Sequence, residues 1–277
     1  ATGTGTGSEQ LVELTALTDG IYTLTLTAQD GAKNVTTFTL SPFVVDTSSP
    51  GTITLTGVPA NPTNATSATI TVVAGTDVVA YRSAFAGSAF GDKTPIATSI
   101  IFSNLTEGTH TLRVIAKDRA GNWMPEGIAV TATWVVDITA PTATLTGVRA
   151  SPTPATTTSI TVGGSDVVQY KFTFDGNALS AETPIATTIA LTNITDGAHT
   201  LLVIGRDTAG NWQSEEQATT AAWTVDRSLA APPTATPVSG TTLTAAQNIT
   251  LNAPEATVHY AFGEHTELTC AAGSGST

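Results

Sequence analysis

An internal repeat of about 90 residues, cut at both ends of the chain, most constrains how this 277-residue sequence can fold. A set of residues between positions 81 and 134 recurs 89 positions later, between 170 and 223. The first copy of this set contains Tyr81, Thr94-Pro95-Ile96-Ala97-Thr98, Gly108, His110, Asp118, Gly121-Asn122-Trp123 and Trp134. The period exceeds the roughly 20–50 residues of solenoid repeats and fits one small β-sandwich. We therefore predict two complete domains in tandem, domain 1 at residues 47–137 and domain 2 at residues 138–226.

Both domains show the residue alternation of β-strands. β-Branched residues are abundant and no segment has the apolar spacing of an amphipathic helix, so we expect essentially no helix. From position 110 to 117, His, Leu, Val and Ala alternate with Thr, Arg, Ile and Lys. Such alternation predicts a strand with one face on a core. About seven such strands per domain, separated by Gly, Asn, Asp and Pro clusters, predict an all-β fold of tandem antiparallel β-sandwiches.

Three motifs resemble those of bacterial immunoglobulin-like domains. They are Asp-x-Thr-Ala-Pro at 137–141, Gly-Thr-His at 108–110 and Ala-x-Asp-x-Ala-Gly-Asn at 116–122. The resemblance extends over residues 8–226 and implies immunoglobulin-like sandwiches that act as spacers, stalks or fibres of extracellular surface proteins. It implies no reaction, because a fold does not fix a function. The tail, from 231 to 260, is similar to the C-terminal domain type of chitobiase and β-hexosaminidase enzymes.

The two ends of the chain match complementary halves of one domain. The head segment, residues 1–46, matches the last three strands: 9–14 corresponds to the fifth, 21–30 to the sixth and 35–46 to the seventh. The tail segment, residues 227–277, matches the first three strands and its pattern stops at Tyr260, the counterpart of Tyr81. In an immunoglobulin-type sandwich the second strand pairs with the fifth and the third with the sixth, so neither half can close a core alone.

We therefore expect the tail of one copy to complete the head of the next by strand complementation. Such a head-to-tail contact joins two different surfaces, so its repetition builds an open fibre. The predicted interface residues are Leu14, Tyr22, Leu24, Leu26, Ile249, Leu251, Val258 and Tyr260. A fragment of a longer array would show the same two halves. The alternative function is a spacer or carbohydrate-binding region of a larger secreted enzyme or adhesin.

Composition and missing motifs narrow the function classes. A net charge of -12, with only 10 Lys plus Arg, argues against a nucleic-acid partner. No run of 18 apolar residues predicts a membrane span, and the N-terminus lacks a signal-peptide pattern. The sequence contains no Gly-x-Ser-x-Gly, phosphate-loop or His-Glu-x-x-His motif, so we expect no enzyme activity and no required cofactor. We expect an extracellular or cell-surface location, with other copies, a polysaccharide or a cell surface as partners.

One candidate ion site falls at the entrance of each complete domain. Oxygen ligands from the linker, from the loop after the second strand and from the loop after the sixth strand could converge there on calcium. The residues are Asp46, Asp77, Asp118 and Asn122 for domain 1, and Asp137, Asp166, Asp207 and Asn211 for domain 2. The same Asp-to-Asn spacing also suits a tight hairpin turn in which Asp caps backbone N–H groups. Both interpretations stay open at this point.

Several conspicuous side chains are interpreted as structural. Tyr22, His110 and His199 each follow a turn glycine by two residues, and their position resembles the tyrosine corner of immunoglobulin sandwiches. The four tryptophans are expected to pack in cores or between domains rather than to stack on sugars. Cys270 is the only cysteine, so it is either an inert thiol or the source of an intersubunit disulfide.

Overall fold

The computed structural model describes residues 13–229, 231–236 and 250–252. Its regular structure is antiparallel β-sheet throughout, apart from two 3-10 turns at Glu126–Ile128 and Glu215–Gln217. The predicted all-β fold of tandem sandwiches is confirmed. No helix in this part of the chain is long and apolar enough to cross a membrane.

The described part of the head segment forms a single interrupted hairpin. Its strands are β1 (Gly20–Tyr22), β2 (Thr25–Gln29), β3 (Val35–Thr39) and β4 (Phe43–Val45). β1 pairs with β4 and β2 with β3, and between the two ladders Leu40 N donates to Leu24 O at 2.8 Å. The expected sixth and seventh strands are therefore both broken, the latter at Pro42, which has no N–H to donate. Of the expected fifth strand, Glu13 and Leu14 are not in a strand, and residues 9–12 lie outside the described residues.

Domain 1 has seven strands in two sheets. They are β5 (Ile53–Thr56), β6 (Ala68–Ala74), β7 (Val78–Phe85), β8 (Thr94–Pro95), β9 (Ile100–Phe102), β10 (Gly108–Asp118) and β11 (Val130–Val136). The sheet orders are β5-β6-β9 and β11-β10-β7-β8. The second strand thus pairs with the fifth and the third with the sixth, as predicted.

Domain 2 repeats this arrangement. Its strands are β12 (Thr144–Thr146), β13 (Thr158–Gly163), β14 (Gln169–Phe174), β15 (Thr183–Pro184), β16 (Ile189–Leu191), β17 (Gly197–Arg206) and β18 (Thr219–Val225). The sheet orders are β12-β13-β16 and β15-β14-β17-β18. In the tail segment, β19 (Thr234–Thr236) pairs with β20 (Thr250–Asn252), the same antiparallel pairing of first and second strands. The expected third strand of the tail lies outside the described residues.

Each sandwich buries its own apolar core. In β10, His110, Leu112, Val114 and Ala116 are buried, which confirms the predicted alternation. Ile115 is also buried although it faces the other way. The chain after the β10 turn returns along this strand, where Met124 N donates to Ala116 O at 2.8 Å.

Candidate functional site

The head hairpin has one apolar face, and its opposite, polar face is lined with threonines between apolar ends. Directly paired residues of antiparallel strands point to the same side, and successive residues alternate sides. One face carries Tyr22, Leu24, Leu26, Phe38, Leu40 and Phe43. The other face carries Thr23, Thr25, Thr27, Thr37 and Thr39 in the middle, with exposed Ile21 and Val44 at one end and exposed Val35 at the other.

The apolar face is open to solvent. Leu26, Phe38 and Leu40 are 45%, 60% and 43% exposed. Their setting differs from that of Leu112 and Val114, the counterparts of Leu24 and Leu26 in domain 1, which are fully buried beneath the opposite sheet. Within the described ranges, the hairpin thus presents the inner face of a sandwich with no second sheet over it. The interface prediction named Tyr22, Leu24 and Leu26 of this face and did not name Phe38, Leu40 and Phe43, although Phe38 and Leu40 alternate with threonines in the sequence.

The hairpin also has a free strand edge. Among the described residues, β2 pairs only with β3, whereas its counterpart β10 is flanked by both β11 and β7. The missing neighbour corresponds to the third strand of a domain. An unpaired edge of this kind is a template for a strand from another chain.

The tail presents a matching, incomplete element. Leu251 on β20 is 41% exposed, while its counterpart Val162 in domain 2 is buried. In domain 2 the second strand β13 lies between β12 and β16, but in the described tail β20 pairs only with β19. Leu14, 38% exposed, lies before the head hairpin, and the remaining predicted interface residues Ile249, Val258 and Tyr260 lie outside the described residues, as does Cys270.

The three corner residues make the same hydrogen bond. Tyr22 Oη donates to Thr18 O at 2.8 Å, four residues earlier. His110 Nε2 lies 2.7 Å from Thr106 O, and His199 Nε2 lies 2.7 Å from Thr195 O. Since a carbonyl only accepts, Nε2 carries the proton in both histidines. The histidines therefore fasten the corner that precedes the penultimate strand, which agrees with their structural interpretation.

Of the two histidines that the structure describes, only His199 has an acidic partner. Its Nδ1 lies 2.8 Å from Asp175 Oδ2, and the hydrogen bond to Asp175 raises the pKa of His199 above its ordinary value. With a carboxylate on Nδ1 and a carbonyl on Nε2, both ring nitrogens donate, which is the arrangement of the protonated imidazole. The counterpart of Asp175 in domain 1 is Ala86, so the two domains differ at this point.

The candidate calcium residues are engaged in turn and linker hydrogen bonds. Asp118 Oδ1 accepts from Gly121 N at 2.6 Å and Asn122 N at 2.7 Å, and Asp118 Oδ2 accepts from Asn122 Nδ2 at 2.9 Å. Burial opposes the charge of Asp118, but the hydrogen bonds from Asn122 and Gly121 outweigh it and lower the pKa of Asp118. Asp207 makes the same three contacts with Gly210 and Asn211.

The linkers and the neighbouring loops approach these turns. Asn122 Nδ2 donates to Asp46 O at 2.9 Å, and Arg119 N donates to Asp77 O at 3.1 Å. At the second junction Asp137, Asp166 and Asp207 line a cleft of about 380 Å³ between domains 1 and 2. In the part of the chain that is described, no three acidic, histidine or cysteine side chains are grouped to hold a metal ion. The contacts match the capping interpretation, and calcium binding stays a prediction.

The tryptophans fall into two pairs. Trp134 and Trp223 are 0% and 2% exposed and occupy the two cores, as expected. Trp123 and Trp212 are only half-buried, and each ring is covered by a cation of its own domain. Arg82 lies 4.4 Å from the ring centre of Trp123 and Lys171 lies 4.5 Å from that of Trp212. Trp123 also packs against the core of domain 1, as expected, and cations of each domain's own sheet form a cation–π layer over both rings.

Comparisons with known proteins give distant structural similarity only. No family model matches the chain. No curated protein matches it either. Fibronectin(III)-like modules of Clostridium thermocellum CbhA are 16% identical, with a TM-score of 0.38, over 63% of this chain and 94% of that chain. A 1.5-MDa bacterial ice-binding adhesin is 20% identical, with a TM-score of 0.39, over 75% of this chain and 74% of that chain.

A vertebrate structure gives a similar result. The FN1–FN3 domains of chicken CNTN1 are 12% identical, with a TM-score of 0.35, over 69% of this chain and 72% of that chain. Identities and scores this low carry no information about function.

Proposed function

We propose that this chain is a non-enzymatic, extracellular structural subunit that assembles head to tail by strand complementation. The observation that carries the proposal is the exposed apolar face of the head hairpin, with Leu26, Phe38 and Leu40 each at least 43% exposed. The same face in domains 1 and 2 lies against a second sheet. Among the described residues, no second sheet covers this face of the head hairpin, and the sheet that fits there is one formed by the first strands of a domain.

Energetics favour covering this face. An isolated two-stranded hairpin is marginally stable in water, because it buries too little apolar surface. Full burial of one Leu or Phe side chain stabilises a fold by about 1.5–3 kcal/mol. Closing a sheet over Leu26, Phe38 and Leu40 therefore yields several kcal/mol, and pairing along the free edge of β2 adds main-chain hydrogen bonds.

The tail of a second copy has the properties that the hairpin lacks. It begins with the paired first and second strands β19 and β20, and it exposes Leu251 where domain 2 buries Val162. Its sequence continues into the third-strand pattern that ends at Tyr260, which would pair with the free edge of β2. Together, tail and head match six of the seven strands of domains 1 and 2, the first three and the last three.

The symmetry of this contact sets the form of the assembly. Head and tail are different surfaces, so each added copy leaves a new head or tail free, and an open filament results unless the rotation closes a ring. The acidic surface, with a net charge of -12, suits a soluble extracellular array. Neither calcium at the junctions nor a disulfide through Cys270 is required for this assembly.

Electron microscopy and light scattering of the full-length protein test the proposal. We expect filaments, or closed rings, whose average mass rises with protein concentration. The separated monomer should appear only on dilution or in denaturant. A protein that stays monomeric up to high concentration would refute assembly and leave the spacer function as the alternative.

A further inference from the structure

Both domain junctions contain the same side-chain to main-chain hydrogen bond. Asn122 Nδ2 donates to Asp46 O at 2.9 Å, where the head segment joins domain 1. Asn211 Nδ2 donates to Asp137 O at 2.8 Å, where domain 1 joins domain 2. In each case the turn between the sixth and seventh strands holds the linker that precedes its own domain.

The asparagine is fixed before it reaches the linker. Its main-chain N–H and its side-chain amide both donate to the aspartate four residues earlier, Asp118 for Asn122 and Asp207 for Asn211. These bonds orient the amide so that its second hydrogen can reach the linker carbonyl. The geometry of the turn is therefore fixed in advance, and we call the turn from this aspartate to this asparagine the connector turn.

The head segment carries a third copy of this connector. Asn34 N donates to Asp30 Oδ1 at 2.9 Å, and Asn34 Nδ2 donates to Asp30 Oδ2 at 2.8 Å. Asn34 is exposed, and within the described residues its side-chain amide donates only to Asp30. By analogy with the other two junctions, this connector would hold the linker that leads into the first strand of its own domain. The head segment matches only the last three strands of a domain, so it does not include that first strand.

The chain has one further linker of the same construction, after domain 2. Ser228 N donates to Asp226 Oδ1 at 2.9 Å, as Thr139 N does to Asp137 Oδ1 at 3.0 Å and Ser48 N to Asp46 Oδ1 at 3.1 Å. Asp226 N donates to Thr153 O at 2.9 Å, as Asp137 N does to Thr63 O at 2.9 Å. The backbone of Asp226 is thus held in the same way as that of Asp137.

An acidic residue before the corner glycine holds each linker from the domain side. Asp196 Oδ1 lies 2.7 Å from Arg227 Nε, and Glu107 Oε2 accepts from Thr139 Oγ1 at 2.7 Å. Asp19 makes the equivalent contact in the head, where its Oδ1 accepts from Thr47 N at 2.7 Å. The linker after domain 2 is therefore held by the same kinds of contact as the linker that leads into domain 2.

We infer that Asn34 of one copy donates a hydrogen bond to the main-chain carbonyl of Asp226 in a second copy. The inference rests on the proposed head-to-tail assembly and adds a contact outside the completed sandwich. It makes the junction between copies equivalent to the two junctions within a copy. Domains then follow one another at the same spacing and rotation across copies as within them.

Thiol cross-linking between two chains tests this contact without altering Asn34 or Asp226. In a Cys270→Ser background, one protein carries Ala32→Cys, in the connector turn, and the other carries Leu229→Cys, in the linker. Both positions are exposed, Leu229 at 95%. After mixing and assembly, a short bis-maleimide reagent should give a covalent dimer on a denaturing gel, well above either protein alone.

Two matched pairs control the geometry. Ala140→Cys and Ala209→Cys in one chain occupy the corresponding positions at the junction between domains 1 and 2, and the linked peptide should be found by mass spectrometry. Val44→Cys, exposed at the opposite end of the head hairpin, should not link to Leu229→Cys. Asn34→Ala should lower the yield of the Ala32–Leu229 dimer several-fold while polymers persist, since the bond to the Asp226 carbonyl is lost together with the bond from Asn34 Nδ2 to Asp30 Oδ2.

The outcomes separate the two proposals. In one outcome, polymers form and the Ala140–Ala209 control is linked, but the Ala32–Leu229 dimer is no more abundant than in the Val44 control. This result would overturn the inferred contact without contradicting strand complementation. Absence of any polymer would defeat both. A strong Ala32–Leu229 dimer that Asn34→Ala leaves unchanged would show that the turn lies at the linker but that Asn34 does not hold it, which also overturns the inference.

Discussion

Tyr22 and Phe43 face each other across β1 and β4 with ring centroids 6.0 Å apart. His110 and Trp134 occupy the same paired positions in domain 1, with centroids 6.0 Å apart, and His199 and Trp223 do so in domain 2, at 6.3 Å. The aromatic pair at the base of the penultimate strand is therefore present three times. In domains 1 and 2 the tryptophan is buried by the opposite sheet, whereas Phe43 is only partly covered.

Leu26→Asp should abolish assembly. Leu26 is 45% exposed in the single chain, so the charge is tolerated there, but it would be buried without a partner in the completed sandwich. We expect a loss of affinity between copies of at least about 100-fold, from a penalty of roughly 3 kcal/mol or more. Sedimentation velocity and electron microscopy measure the loss.

Thr27→Asp is the matched control for that variant. Thr27 is adjacent in the chain, exposed, and on the polar face of the same strand. It should assemble as the unchanged protein does. Equal loss of polymer in both variants would contradict the assignment of faces, and polymer in both would contradict burial of Leu26.

The stability of domain 2 should depend on pH through His199. The pKa of His199 is raised in the folded state, so its contribution is fully present below the ordinary value of 6.5 and is lost as pH rises through the folded pKa. Asp175→Ala should lower the pKa of His199 and remove about 1 kcal/mol of stability at acidic pH, a modest figure because Asp175 is partly exposed. NMR titration of the histidine ring in the full chain measures the pKa directly.

Domain 1 offers the reciprocal experiment. Ala86 stands where domain 2 has Asp175, and its positive φ of 50° is one that Asp tolerates better than Ala. Ala86→Asp should therefore give His110 the carboxylate partner that Asp175 gives His199, and thermal unfolding at acidic pH should show a more stable domain 1. A domain 1 stability that Ala86→Asp leaves unchanged, together with a His199 titration insensitive to Asp175→Ala, would rule out the carboxylate as the cause.

Asp118→Ala should destabilise domain 1 by about 2–4 kcal/mol. Asp118 is 1% exposed and accepts three hydrogen bonds, so its removal leaves the partly buried donors Gly121 N, Asn122 N and Asn122 Nδ2 without partners. Because the folded pKa of Asp118 is lowered, this contribution is present above the ordinary value of 3.8 and is lost as pH falls through the folded pKa. Thermal unfolding of the full chain followed at several pH values measures both effects, with Asp207→Ala as the equivalent change in domain 2.

Gly147→Ala should destabilise domain 2 more than Gly176→Ala does. Both glycines have positive φ, at 82° and 71°, so both substitutions carry the cost of a left-handed backbone, about 1 kcal/mol. A Cβ at Gly147 would lie 2.6 Å from Ser159 O, whereas a Cβ at Gly176 meets no atom within 4 Å. Chemical denaturation should show a difference of at least about 2 kcal/mol between the two variants. Equal effects would mean that the backbone at Gly147 moves aside freely.

The strand content and pairing of domains 1 and 2 could be predicted from the sequence, because alternation and turn residues mark each strand locally. The burial of Ile115 could not, since it depends on the path of the chain after Trp123. The sequence also could not decide whether Asp118 caps N–H groups of a turn or binds calcium, because both kinds of loop use the same residue types. Within the head, the alternation around Phe38 indicated the second half of the apolar face. The break at Pro42 shows only in the structure, where β3 pairs with β2 and β4 pairs separately with β1.

The hydrogen bonds by which Asp19, Glu107 and Asp196 hold the linkers affect how the molecule responds to a stretching force. Because the linkers are held against the domains, a pulling force acts on the hydrogen bonds within each sandwich. These include the bonds from Asp137 N to Thr63 O and from Asp226 N to Thr153 O. These join an early loop of each domain to the end of its last strand, so an axial pull shears them. Lengthening would then proceed by the rupture of whole domains, in steps of nearly equal size.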